Sequence, residues 1–89
     1  MTHPGHPVTL RRKAIGKSIV YLDRYFVGSE PRFYIEANGP DYRVWKRTRP
    51  DENRALEIYQ RYCFWVWFIE AFDFFPATRL ITWIIHKTI

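Results

Sequence analysis

Four groups of side chains have types and spacings that suggest chemistry. Gly16-Lys17-Ser18 has the ending of a phosphate-binding loop. That loop requires a Gly five positions before its second Gly, where Arg11 stands, and a strand ahead of it, so the stretch reads as solvated and basic. His3 and His6 lie three apart, and His86 and Cys63 lie elsewhere. Imidazole and thiolate ligate zinc, but His3-Pro-Gly-His6-Pro in an irregular tail is no preformed site, and Cys63 has no activating base nearby in sequence. Glu70 and Asp73 share a face at helical spacing. Without a His or a metal ligand beside them, they are expected to pair with basic groups of a neighbouring subunit rather than transfer protons.

The fourth group is an interleaving of cations and rings: Arg32, Phe33, Tyr34, Tyr42, Arg43, Trp45, Lys46, Arg47 and Arg49. Cations bind phosphates while rings stack on bases, so this is the best case for nucleic-acid contact. The simpler expectation is a hairpin with one aromatic face packed on a helix and one solvated basic face. No nucleophile–base pair, metal quartet or complete phosphate loop emerges. The expectation is therefore a protein that is not an enzyme, with no catalytic residue, metal, cofactor or small-molecule substrate.

These groups sit on a chain of 89 residues, room for one small domain. A single Cys excludes a disulfide framework and a Cys-based zinc finger. The length excludes a doubly wound sheet or a barrel enzyme. The net charge is +5, and all of the excess lies early: residues 1–50 hold ten Lys/Arg against four Asp/Glu, and residues 51–89 hold four against five. Aromatic residues lean the other way, with eight among the fourteen from Tyr62 to Phe75. A basic half joined to an aromatic, near-neutral half points to an anionic or apolar contact surface.

The expected architecture is α+β. Residues 1–17 read as a basic irregular tail, too poor in apolar residues for a secretory signal though compatible with organelle import. Residues 18–27 read as a strand, and 32–37 with 42–47 as a hairpin about Asn38-Gly39-Pro40-Asp41. Pro50-Asp51-Glu52 starts a helix that runs to Phe75, where Pro76 stops or kinks it. From Tyr62 to Ile69 this helix is apolar all round and must be enclosed by protein or lipid. Its unbroken apolar run is too short for a regular membrane span, and Glu70 and Asp73 interrupt it. Residues 77–88 form a second, amphipathic helix with Leu80, Ile81, Ile84 and Ile85 on one face.

The run Cys63-Phe64-Trp65-Val66-Trp67-Phe68-Ile69-Glu70-Ala71-Phe72 resembles the Trp/Phe-rich single helix of small accessory subunits in mitochondrial oxidative-phosphorylation complexes. Its Phe-Trp-x-Trp core looks most like a subunit of the membrane arm of the proton-pumping NADH dehydrogenase, with the ATP synthase membrane region an equally loose fit. The acidic Pro/Trp-rich tail of that subunit is absent. The resemblance implies a structural subunit of a larger inner-membrane assembly, with no catalytic residues to carry over. Tyr62, Phe64, Trp65, Trp67, Phe68, Phe72, Phe75 and Trp83 would then contact membrane or subunit. Arg11, Arg12, Lys13, Arg43, Lys46 and Arg47 would meet an anionic partner, lipid headgroups among them. The alternative is a soluble cytoplasmic α+β interaction module of the phage or plasmid type, whose hairpin binds nucleic acid or an acidic protein.

Overall fold

The computed structural model describes residues 7–39, 42–72 and 75–88. Four strands come first: β1 (Val8–Ile15), β2 (Ser18–Val27), β3 (Glu30–Gly39) and β4 (Tyr42–Arg49). Two helices follow, α1 (Glu52–Phe72) and α2 (Phe75–Thr88). The strands form one antiparallel sheet in the order β1-β2-β3-β4, and the fold is α+β.

The first strand lies inside what reads as an irregular tail. Arg11, Arg12 and Lys13 hide its alternation, but an edge strand tolerates charge on both faces and gains protection against edge-to-edge pairing from it. Gly16-Lys17 is therefore a hairpin turn: Ile15 pairs with Ser18, and Gly16 adopts φ 59°. Gly28 does the same at φ 65° between Val27 and Glu30. Two-residue turns with φ > 0 at the first position match the twist of the strands they join.

Burial alternates on β2 from Ser18 to Leu22 and on β3 from Phe33 to Ala37. Val20 and Leu22 on β2, with Phe33, Ile35 and Ala37 on β3, are buried on one face, and Trp45 of β4 joins them. The opposite face carries Tyr21, Asp23, Tyr34, Glu36, Lys46 and Thr48, and no described element covers it.

The long helix lies on the buried face. Asp51 caps it: its Oδ2 accepts a hydrogen bond from Arg54 N at 3.3 Å, and its carbonyl accepts one from Ala55 N at 3.0 Å. Ala55, Ile58, Tyr62, Val66 and Ile69 form a single stripe at three- and four-residue spacing and pack on the sheet. The enclosure by protein or lipid expected for this apolar helix is thus supplied in part from within the chain. The chain's own sheet encloses one side of it.

Pro76 sits in the first turn of α2, where its missing N–H costs nothing. The second helix closes the core with Ile81 and Ile85, and Trp45 Nε1 donates to Thr82 Oγ1 at 3.2 Å. No helix among the described residues is long and apolar enough to cross a membrane.

Candidate interaction surface

With the α1 stripe committed to the sheet, its remaining aromatic side chains are distributed around the other sides. Tyr62, expected to face a membrane or subunit, is instead fully buried at 0% exposure, its ring 5.8 Å from that of Trp45. Trp65 and Phe68 are partly buried against the core, with ring centroids 5.9 Å apart. Phe64 and Trp67 face outward, 54% and 55% exposed. On α2, Leu80 and Trp83 are 58% and 60% exposed, one turn apart on the side away from Ile81 and Ile85. The side chains of Phe72 and Phe75 lie outside the described residues.

Phe64 forms a ridge between two hollows. One, of about 320 Å³, is walled by Lys13, Ala14, Ile15, Cys63 and Trp67. The other, of about 440 Å³, is walled by Glu57, Gln60, Arg61 and Trp65. The ridge is braced from one side, since the Phe64 and Trp65 rings meet edge-on at 5.0 Å. An aromatic ridge flanked by depressions and rimmed by Lys, Gln, Glu and Arg matches the composition of a protein–protein contact, with rings at the centre and polar groups at the rim.

Glu70 is used within the chain. Its carboxylate accepts from Ser18 Oγ at 2.5 Å and from Lys17 N at 3.2 Å, tying the end of α1 to the first turn of the sheet. An intrachain role thus replaces the intersubunit pairing expected for it. The other acid, Asp73, lies outside the described residues. Burial pushes the Cys63 thiol up, against the opposing effects of Tyr59 and Lys13, which leaves it a poor nucleophile.

The cations divide between places. Arg11, Arg12 and Lys13 are exposed along the β1 edge. Lys46 is exposed on the open sheet face, with Arg12, Tyr21 and Glu36 in the same cross-strand row. Arg47 is half-buried on the helix side, its Nη1 donating to the Lys46 carbonyl at 2.8 Å. The side chain of Arg43 lies outside the described residues. Phe33 and Trp45 belong to the core, so two hairpin rings are out of reach of a base.

On the open face Tyr34 donates to Glu36 Oε1, and Asn38 Nδ2 donates to Glu36 Oε2 at 2.6 Å. The Tyr21 and Tyr34 rings lie 6.2 Å apart. Burial and the Glu36 carboxylate push Tyr21 up to about 12 and push Tyr34 up as well.

The single-residue signal that separates outward from inward aromatics on α1 is phase. Phe64 and Trp67 fall opposite the Ala55–Ile58–Tyr62–Val66–Ile69 stripe, which is legible only once Tyr62 is assigned inward. Among the described residues no cluster of His, Cys, Asp or Glu is placed to hold a metal ion. Comparison with protein families, curated proteins and solved structures finds no match for this chain.

Proposed function

We propose that the chain is a non-catalytic interaction module that docks onto a partner protein through the outward aromatic side chains of its two helices. The observation that carries this reading is the exposure of Phe64, Trp67, Leu80 and Trp83, each more than half accessible. Side chains of this size have a complete apolar core available to them and are nevertheless held outside it. Large exposed apolar groups rimmed by polar ones mark interaction sites.

A protein partner suits the α1 surface better than lipid does. Glu57, Gln60 and Arg61 stand beside Phe64 and supply hydrogen-bonding groups that a hydrocarbon layer would leave unpaired. The resemblance to respiratory accessory subunits fits the same reading at a finer level, with a membrane-associated mitochondrial assembly as the partner. Docking against such an assembly needs no spanning helix.

Site-specific photocrosslinking in the producing cells tests the proposal. A crosslinker replacing Trp67 or Trp83 is expected to capture the same discrete protein. One replacing Lys46 on the open sheet face is expected to capture none. Crosslinks only to lipid, or equal capture from all three positions, would contradict the reading.

A further inference from the structure

The outward aromatic surface adjoins the free edge of the first strand. Strand β1 ends the sheet order, so nothing among the described residues pairs with its outer edge. The two-residue turn at Gly16-Lys17 makes Ile15 and Ser18 the hydrogen-bonded pair that closes the hairpin. Pairs in an antiparallel ladder alternate from there. Lys13 and Arg11 therefore bond to β2, whereas Arg12 and Ala14 direct their backbone N–H and C=O groups outward. Such a row of outward groups is a template for one more strand.

Arg11, Arg12 and Lys13 are exposed along this edge. None makes an ion pair among the described residues, though Arg11 Nη1 donates to the Leu10 carbonyl at 2.9 Å. Neither β1 nor residues 1–6 contain an acid. Asp23 Oδ1 accepts from Thr9 Oγ1 at 2.8 Å, and the Glu70 carboxylate is held by Ser18 and Lys17. The edge is thus basic, with no acid of its own. A second copy suits it poorly. The other edge, β4, carries Lys46 and Arg47 and no acid, so β1–β1 and β1–β4 pairings both oppose like charges.

The edge opens onto one of the two hollows beside Phe64. Lys13, Ala14 and Ile15 wall it from the strand, and Cys63, Phe64 and Trp67 wall it from α1. Lys13 pairs with the buried Val20, so the residue of an added strand that stands beside Lys13 also faces the helix side. That residue enters the hollow. The residues on either side of it stand on the open face of the sheet, level with Arg12 and Ala14. Strand addition uses this division: backbone bonds supply affinity, and pockets for alternate side chains supply specificity.

We infer that β1 receives an extended acidic segment of the partner protein as an additional strand, with an apolar side chain of that segment in the hollow beside Phe64. This rests on the reading of the outward aromatic side chains as a protein contact, and it names the element that the partner brings.

The test is amide hydrogen exchange of the full chain, read by NMR, with the capped peptide Glu-Thr-Glu-Leu-Glu-Thr-Glu as the probe. The amides of Arg12 and Ala14 are expected to gain protection severalfold, while those of Lys13 and Ile15, already bonded to β2, change little. A peptide with Gln in place of every Glu is expected to protect much less. A strand turns only every second N–H toward one neighbour, so N-methylation of the Glu set and of the Thr/Leu set are expected to have unequal effects, one of them abolishing protection. Ala14→Pro deletes an outward N–H at an edge position that tolerates proline, and is expected to weaken binding by about tenfold. Should that variant unfold, the two N-methylated peptides decide the matter.

No protection by the peptide, equal effects of the two N-methylated sets, or equal protection by a short oligothymidylate would overturn the inference. Protection in the peptide-free chain that grows with its concentration would assign the edge to a second copy and overturn it too. Any of these results beside intact crosslinking from Trp67 and Trp83 removes the added strand alone. Edge protection without that crosslinking removes the proposed function instead.

Discussion

Glu70 joins the two halves of the chain at the level of single atoms. Its two carboxylate oxygens hold Ser18 Oγ and Lys17 N, and Ser18 is itself buried. Glu70→Ala leaves that hydroxyl without its acceptor and is expected to cost about 1–3 kcal/mol in urea unfolding, with Glu70→Gln milder because it keeps an acceptor. A side chain at Gly16 would collide with the Glu70 carboxylate, and the backbone there is left-handed. Gly28 has the same backbone but open space around it. Gly16→Ala is therefore expected to lose more stability than Gly28→Ala, whose cost of about 1–2 kcal/mol is the left-handed conformation alone. Equal losses would remove the role given to Glu70. Tyr62→Phe deletes a buried hydroxyl that has no hydrogen-bond partner among the described residues, and is expected to leave the chain as stable or more stable by about 1 kcal/mol. The contact between Glu70 and Ser18 spans 52 residues, so nothing local in the sequence discloses it. What the sequence does show is a carboxylate on an apolar helix that needs a partner.

At the scale of elements, α2 shows how a face is chosen. Leu80, Ile81, Ile84 and Ile85 all fall within one broad arc, yet only Ile81 and Ile85 are buried, and Leu80 lies outside. In this orientation Thr82 Oγ1 accepts a hydrogen bond from the Trp45 indole N–H. Ile85→Ala is expected to cost about 2–5 kcal/mol, and Leu80→Ala to stay within about 0.5 kcal/mol, in the same unfolding measurement. Strands β2 and β3 are legible because β-branched and aromatic residues crowd them and Asn38-Gly39 signals a hairpin, and the start of α1 because Pro50-Asp51-Glu52 places acids at a helix start. Strand β1 is not legible, because an edge strand needs charge more than pattern. The all-round apolar character of α1 likewise conceals which stripe the sheet takes.

At the scale of the molecule, the tyrosines report the fold. Burial, first among the causes, pushes Tyr21, Tyr59 and Tyr62 up to about 12, and Tyr34 moves in the same direction. A phenol of the unfolded chain titrates near ~10, so between about pH 10 and 12 the folded state holds more protons than the unfolded one. The stability from these four phenols is fully present below pH ~10 and is lost as pH rises through their folded values. The phenolate absorbance of the native chain is expected to lag that of the urea-unfolded chain toward higher pH; coincident titrations would contradict the burial of these side chains.

The same packing that shelters these rings leaves Phe64, Trp67, Leu80 and Trp83 outside, and the proposed function rests on them. The most direct measurement is the native size of the chain in extracts of the cells that produce it, for the wild type and for Trp67→Ser plus Trp83→Ser. Both substitutions are at exposed positions and are expected to leave the thermal midpoint nearly unchanged. The wild-type chain is expected to migrate in an assembly far larger than its own 10.9 kDa, and the double variant to be released as a folded free chain. A wild-type chain found only at its free size, or a double variant that stays in the assembly, would contradict the account.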